Sequence, residues 1–330
     1  MKYKFLGKTG IQVSGLCMGT MTFGSDASKE ESIKMFQLCR DNGINFFDCA
    51  NKYSDGEAEK ILGECLKNCR DEIILTTKGT ARVGKEINDV GSSRKHLMLE
   101  VEKSLKRLDT EYIDIYFIHY FDDATSMEST LRFLDDVVRQ GKVLYTGLSN
   151  WAAWQIMKSI HISEMNNLAS IDCIQPMYSL IKRQAEVEIL PLAQDQRLGV
   201  ISYSPLGSGV LTGKYTDIST SQSARLTDKD YYNKRYKDPH YFEVAQKFKD
   251  FAEKSGYDTS PLAISWAMNH PAVTSVIIGA RNSEQLHSSL KAIDINMTDE
   301  LRQGISELSA TPSPAHDRLE EIIDEKTRLR

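Results

Sequence analysis

Three short apolar stretches end on residues able to handle protons. They are Phe46-Phe47-Asp48, Leu75-Thr76-Thr77-Lys78 and Tyr116-Phe117-Ile118-His119, and Tyr53 follows Asp48 by five positions. An acid, a base, an imidazole and a phenol in this arrangement suit proton transfer. A phenol near pKa 10 is a poor acid at neutral pH. An ammonium about 4 Å away attracts a phenolate by on the order of 4 kcal/mol at an effective dielectric near 20, before desolvation is subtracted. That moves the phenol toward the range of a general acid. Lys78 would supply the ammonium, Asp48 would hold Lys78 charged and in place, and His119 would orient a substrate oxygen. The set suits delivery of a proton to a carbonyl oxygen while something else delivers hydride to carbon. Taken singly, each residue has an ordinary structural use as a helix cap or satisfied polar group; it is their convergence that points to chemistry.

Convergence requires that the stretches be neighbours. Apolar strands are expected to begin at 16, 44, 73, 113, 143, 171, 200 and 275, separated by helical patterns. In Ser93–Arg107, for example, Leu97, Val101, Leu105 and the following Leu108 recur at intervals of three and four. Strands apolar on both faces and alternating with helices call for a parallel sheet. Eight such units predict one α/β domain over residues 1–330, a (β/α)8 TIM barrel whose active site lies where strands end. Tyr3–Leu6 and Ile11–Val13 flank Gly7-Lys-Thr-Gly10, a hairpin signal placing an N-terminal β-hairpin across the barrel floor. Extended loops are expected at the C-terminal rim. One is the tyrosine-rich Ser219–Tyr241, with Tyr231, Tyr232, Tyr236, Tyr241, Arg225 and Arg235, read as either a lid or a solvated loop. Residues 311–330 form a charged C-terminal tail.

Composition narrows the partners. The 330 residues carry 41 Lys+Arg against 46 Asp+Glu, a net charge of −5, so nucleic acid is excluded as the main partner. No apolar run approaches the roughly 18 residues that cross a bilayer, and the first ten residues lack a signal-peptide core; no membrane association and a cytoplasmic location are expected. The six cysteines include no Cys-x-x-Cys pair, and Cys65 and Cys69 have no third or fourth ligand nearby, so free thiols and no metal are expected. Gly207-Ser-Gly209 lacks the third glycine of a dinucleotide fingerprint, Thr212 standing in its place. Gly213-Lys214 lacks the Ser or Thr of a phosphate loop, and Asn296-Met-Thr298 is a chance glycosylation sequon.

Several stretches together resemble the aldo-keto reductase family. Phe47-Asp-Cys-Ala-Asn-Lys-Tyr-Ser-Asp-Gly56 through Gly63 is similar to the family's first signature. Thr76-Thr-Lys78, Ile118-His119, Gly141 through Asn150, Tyr203-Ser-Pro-Leu-Gly207 and Ile278-Gly-Ala-Arg281 follow in the family's order. The resemblance runs from about Tyr3 to Ile293. It implies NADPH-linked carbonyl reduction, with Tyr53 as the acid and Lys78, Asp48 and His119 completing a tetrad. It also implies that Ser149, Asn150 and Gln175 hold the nicotinamide carboxamide while Tyr203 stacks on the ring. Gly19, Thr20, Met21 and Asp48 would border the cofactor, and Ser204, Pro205, Leu206, Ser208, Gly209, Leu211 and Lys214 would follow the pyrophosphate. Gly279, Arg281, Gln285 and Ser289 match the region of the adenosine and its 2′-phosphate, although the family often has Asn where Ser289 stands. A guanidinium at 281 suits a phosphate dianion and favours NADPH/NADP+.

The substrate implied is a small-molecule carbonyl compound. Phe23, Tyr53, His119, Tyr120 and Trp151 fall at the expected rim, with Phe121 beside them. Tyr120-Phe-Asp-Asp after His119 departs from the family's pattern, so substrate preference does not carry over. The fold also serves the β subunits of voltage-gated potassium channels, which makes a cofactor-binding regulatory subunit the alternative. A lyase or isomerase using Lys78 as a Schiff-base nucleophile would leave Ser149, Asn150, Gln175 and Arg281 unexplained. Oligomeric state stays open.

Overall fold

The computed structural model describes residues 1–214 and 234–318. Strands β1 (Tyr3–Phe5) and β2 (Gln12–Ser14) form the antiparallel hairpin, with Lys4 opposite Val13. Eight parallel strands then close a barrel: β3 (Leu16–Gly19), β4 (Phe46–Asp48), β5 (Ile74–Gly79), β6 (Ile113–Ile118), β7 (Val143–Ser149), β8 (Cys173–Gln175), β9 (Gly199–Ser202) and β10 (Ser275–Ile278). Neighbours in sequence are neighbours in the barrel, and β10 returns to β3, Val276 facing Leu16.

Helices follow the strands on the outside. They are α1 (Lys29–Asp41), α2 (Glu57–Leu66), α3 (Arg94–Leu108), α4 (Met127–Arg139), α5 (Ala153–Met165), α6 (Ile189–Asp195), α7 (His240–Lys254), α8 (Thr259–Met268), α9 (Ser283–Leu290) and α10 (Asp299–Ser306). Serine or threonine at the position before the first turn caps several of them. Ser28, Ser93, Ser126 and Thr298 each accept a backbone N–H through the side-chain oxygen. The strand and helix positions expected from the sequence differ from these by about two residues at most.

Strand periodicity divides the interior into layers. Leu6 and Val13 of the hairpin pack with inward-facing Cys17, Phe46, Ile115, Phe117, Cys173 and Ile201, so the hairpin seals the floor. Gly199 makes room for it: a Cβ there would lie 2.4 Å from the Leu6 side chain. Gly147 likewise accommodates the Phe117 ring, which would stand 2.3 Å from an added Cβ. Leu16, Met18, Phe47, Leu75, Tyr116, Leu148, Ile174 and Val200 point the other way into the helix layer. Because side chains alternate along a strand, the position two beyond each floor residue faces inward again. Gly19, Asp48, His119, Gln175 and Tyr203 stand there, two beyond Cys17, Phe46, Phe117, Cys173 and Ile201. The register sets Gly19 beside Asp48, Asp48 beside Thr76 and Ser149 beside Gln175.

One loop expectation changes in part. Tyr236 is completely buried and Lys182 Nζ lies over the rings of Tyr236 and Tyr241, donating to the Tyr241 hydroxyl at 2.7 Å. These two tyrosines are therefore packed against the barrel rather than part of a solvated loop. Arg225, Tyr231 and Tyr232 lie outside the described residues, as does the tail from residue 319 onward. All six cysteines are free, and no metal-binding cluster occurs among the described residues. No helix among them is long and apolar enough to cross a membrane.

Candidate active site

Asp48 and Lys78 meet inside the barrel mouth, 2% and 0% exposed. Burying an ion pair is costly unless further hydrogen bonds satisfy it. Here they do: Lys78 Nζ donates to both Asp48 oxygens and to the Cys49 carbonyl, each at 2.6 Å. Asp48 Oδ1 also accepts from Thr76 Oγ1 at 2.6 Å and from Gln175 Nε2 at 2.8 Å. The ammonium lies 5.1 Å from the centre of the Tyr53 ring. Acid, phenol and ammonium thus form one contiguous group.

Tyr53 is carried by an unusual turn. Ser54, Asp55 and Gly56 have φ of 49°, 51° and 95°, a run of left-handed conformations that only glycine adopts readily. Surrounding contacts offset this cost. Ser54 Oγ donates to the Phe23 carbonyl at 2.6 Å, Asn51 Nδ2 donates to buried Glu100, and the Arg107 side chain fills the space beside Gly56. Arg107 in turn donates to fully buried Glu59, which also accepts from Thr77 next to Lys78.

His119 continues β6 and lies edge-on to Tyr53, ring centres 6.2 Å apart. It stacks on the half-exposed Tyr120 ring at 4.3 Å. Its Nδ1 is buried without a hydrogen-bond partner among the described residues. Burial, with the Lys78 ammonium adding in the same direction, holds its pKa well below the usual histidine range, so the imidazole is neutral at neutral pH. A neutral imidazole presents one N–H and one lone pair, as a group that orients a substrate oxygen should.

A pH prediction follows. Burial, helped by nearby Arg302, also lowers His270 to about 4. An unfolded histidine titrates near 6.5, so below that pH the unfolded chain binds more protons than the folded one and stability falls on acidification. Urea unfolding should show the wild type losing more stability between pH 7 and 5 than His119→Gln; equal losses would contradict a neutral, buried imidazole.

Beyond His119 the rim is a chain of hydrogen bonds. Tyr203 donates to Asn150 Oδ1 at 2.6 Å; Asn150 Nδ2 donates to Ser149 Oγ and to the His119 carbonyl, both at 3.0 Å. Ser149 Oγ donates to the Gln175 carbonyl, and Gln175 reaches back to Asp48. These groups open onto a cleft of about 1400 Å³. That exceeds the roughly 300–1,000 Å³ of ordinary small-ligand pockets.

Most residues singled out from the sequence line this cleft. Tyr53, His119, Tyr120 and Asp48 stand at one end with Gly19, Met21, Ser149, Asn150, Gln175 and Tyr203. Ser204, Pro205, Leu206, Ser208, Gly209 and Lys214 form one wall, and Gly279, Arg281, Gln285 and Ser289 belong to the loop after β10 and to α9. Lys78 lies beneath the surface under Asp48. Four residues sit off the cleft. Phe23 is wholly buried in the core, and Trp151, 5% exposed, packs edge-on against Phe121. Thr20 is buried behind the site with its hydroxyl on the Asp48 carbonyl, and the Leu211 side chain is buried in the core. Placement at a strand end or in a rim loop did not show which way a large apolar side chain would turn.

Arg235, just before α7 and named in the stretch read as lid or solvated loop, lines the cleft as well. The cleft has further walls that the motifs did not indicate: Ala81 lies in the loop after β5, and Asn282, Glu284 and Ser288 flank the residues already named on the β10 side. The last three sit within one helical turn of Arg281 and Gln285, which was the available signal.

Comparison with known proteins agrees with the fold. The model of the Aldo/keto reductase family matches residues 15–310. The chain belongs to the aldo/keto reductase family. Among curated relatives, two plant proteins described as probable voltage-gated potassium channel subunit beta, from Arabidopsis thaliana and Oryza sativa subsp. japonica, are each 36% identical over 302 residues. That alignment covers 89% of this chain and 92% of each relative. An uncharacterised oxidoreductase of Bacillus subtilis (strain 168), YrpG, is 34% identical over 328 residues, covering 94% of this chain and 97% of the relative. As an aldo/keto reductase the chain is placed among oxidoreductases that use nicotinamide cofactors.

The cleft fits such a cofactor on its own features. Tyr53 and Arg281 both line it, and its volume of about 1400 Å³ leaves room for a dinucleotide and a substrate together. Ser204, Gly207, Ser208 and Gly209 all have positive φ, the kind of concave backbone that receives anionic oxygens. A Cβ on Gly279 would meet nothing nearer than the Gly19 carbonyl at 3.8 Å, so the missing side chain leaves space in the cleft rather than serving packing.

Proposed function

We propose that the protein is an NADPH-dependent reductase of aldehydes or ketones, acting in the cytoplasm on a small carbonyl compound. The observation that carries this reading is the buried Lys78–Asp48 pair set beside the Tyr53 ring and a neutral His119 at the mouth of the barrel. Bound in the cleft, the nicotinamide would supply hydride to the carbonyl carbon. His119 holds the carbonyl oxygen, and Tyr53 gives it the proton. The Lys78 ammonium stabilises the phenolate left behind, and Asp48 keeps the ammonium charged and fixed. Ser149, Asn150 and Gln175 would hold the carboxamide, and Tyr203 would support the ring. The exposed face of Tyr120 beside His119 suits a planar carbonyl compound, aromatic or sugar-derived.

The test is a fluorescence titration with NADPH and NADH, followed by nicotinamide absorbance with aromatic, aliphatic and sugar-derived carbonyls. Expected are saturable NADPH binding and carbonyl-dependent oxidation. Absence of binding to either nucleotide would overturn the assignment.

The likeness to plant proteins named as potassium channel β subunits favours a second reading, a cofactor-binding regulatory subunit. It would retain NADPH tightly, turn over no carbonyl of the panel, and co-purify with a channel protein. Rapid multiple turnover by the isolated chain would count against it.

A further inference from the structure

The guanidinium at the far end of the cleft is already engaged. Arg281, in the loop after β10, faces Asp26, in the loop after β3, with Nε 3.6 Å from Oδ2. Both side chains keep access to solvent, 37% and 28% exposed, so the pair can rearrange. The two loops are fastened around it. Thr22 Oγ1 donates to the Ala280 carbonyl at 2.6 Å, and Ser283 donates through both N–H and hydroxyl to Glu31 Oε1. The Arg281 N–H donates to Gln285 Oε1 at 3.2 Å. Glu284, a second acid, also lines this end of the cleft.

NADH and NADPH differ by one phosphate. A phosphate dianion drawn to Arg281 meets the Asp26 carboxylate within one side chain's length, whereas an unesterified ribose hydroxyl adds no charge there. We infer that Asp26 is a specificity-determining residue that holds Arg281 and restrains the preference for the 2′-phosphorylated cofactor. This rests on the cofactor reading above, with the 2′-phosphate at Arg281. Asp26 accepts part of the charge that the phosphate would otherwise claim, and its own charge repels the phosphate. NADH binding feels neither effect. The loop fastenings keep the carboxylate near the guanidinium, so the effect belongs to the site rather than to a passing surface contact.

The experiment measures dissociation constants of NADPH and NADH by fluorescence for wild type, Asp26→Asn and Asp26→Glu, at low and high salt. Asp26→Asn should tighten NADPH by roughly three- to tenfold and leave NADH within twofold, the scale of one partly exposed charge interaction. Asp26→Glu, which retains the charge, should stay near wild type. The gain should shrink at 0.5 M KCl, where exposed charges are screened. An unchanged ratio of the two constants in Asp26→Asn, or weaker NADPH binding, would overturn the inference while leaving the cofactor reading intact. Failure of the wild type to bind either nucleotide would overturn both.

Discussion

Tyr53→Phe is expected to lower kcat for carbonyl reduction by about 10²- to 10⁴-fold, the range contributed by a positioned general acid. The substitution removes one oxygen and little else. The ring keeps its edge contact with His119 and its place above the Lys78 ammonium. The turn that carries it is held by Ser54, Asn51 and Arg107. NADPH should therefore bind the variant within about twofold of wild type, and the melting temperature should hold. Stopped-flow measurement of nicotinamide oxidation in a single turnover would isolate the chemical step from product release. A variant that reduces carbonyls at the wild-type rate would remove Tyr53 from the role of acid. A variant that loses cofactor binding as well would show the phenol to be structural.

The strand-borne members of the tetrad could be read from the sequence because they obey strand periodicity, whereas Tyr53, in the turn after β4, was found by its motif. Asp48 follows Phe46 by two residues, and His119 follows Phe117 by two; both phenylalanines are floor residues. Side chains alternate between core and helix layer, so once an inward apolar residue is known the next inward position is fixed. Gln175 two after Cys173 and Tyr203 two after Ile201 obey the same rule. The barrel itself was legible for a related reason: apolar strands alternate with helices, several of which carry a capping serine or threonine.

Residues in the loops after the strands follow no such period. Phe23 and Trp151 were expected at the pocket because large aromatics near a rim suit a substrate. Burial of each is decided by neighbours from elsewhere in the chain, Phe121 in the case of Trp151. The contact between Asp26 and Arg281 joins the first and last βα loops, and no local pattern announces it. Tyr236 and Tyr241 sat in a polar, tyrosine-rich stretch that read as lid or surface; Lys182, from the loop after β8, draws both against the barrel. Motif order found the cofactor wall but passed over Ala81, whose residue type carries no distinctive chemistry, while Arg235, read as lid or solvated loop, lines the cleft.

Lys78→Met should damage stability and turnover together, and a second substitution should separate the two. Methionine fills the lysine's space without a charge, leaving the Asp48 carboxylate, 2% exposed, to Thr76 and Gln175 alone. Breaking a buried pair from one side typically costs about 3–5 kcal/mol because the remaining charge is uncompensated. For a chain of this size that is a fall in melting temperature of about 4–7 °C. Turnover should drop by about 10²-fold or more, since no ammonium then stands near Tyr53 to favour loss of its proton. In the double variant Asp48→Asn, Lys78→Met, the uncompensated charge is gone. Replacing both partners of a buried pair with neutral groups is often tolerated, so most of the lost stability should return. Activity should not return with it, because the ammonium is still missing. Differential scanning calorimetry and single-turnover kinetics on the same three proteins would show the divergence. Recovery of activity alongside stability would mean that the pair serves the fold and not the proton transfer; an unaltered melting temperature in Lys78→Met would mean that the pair is not coupled to folding.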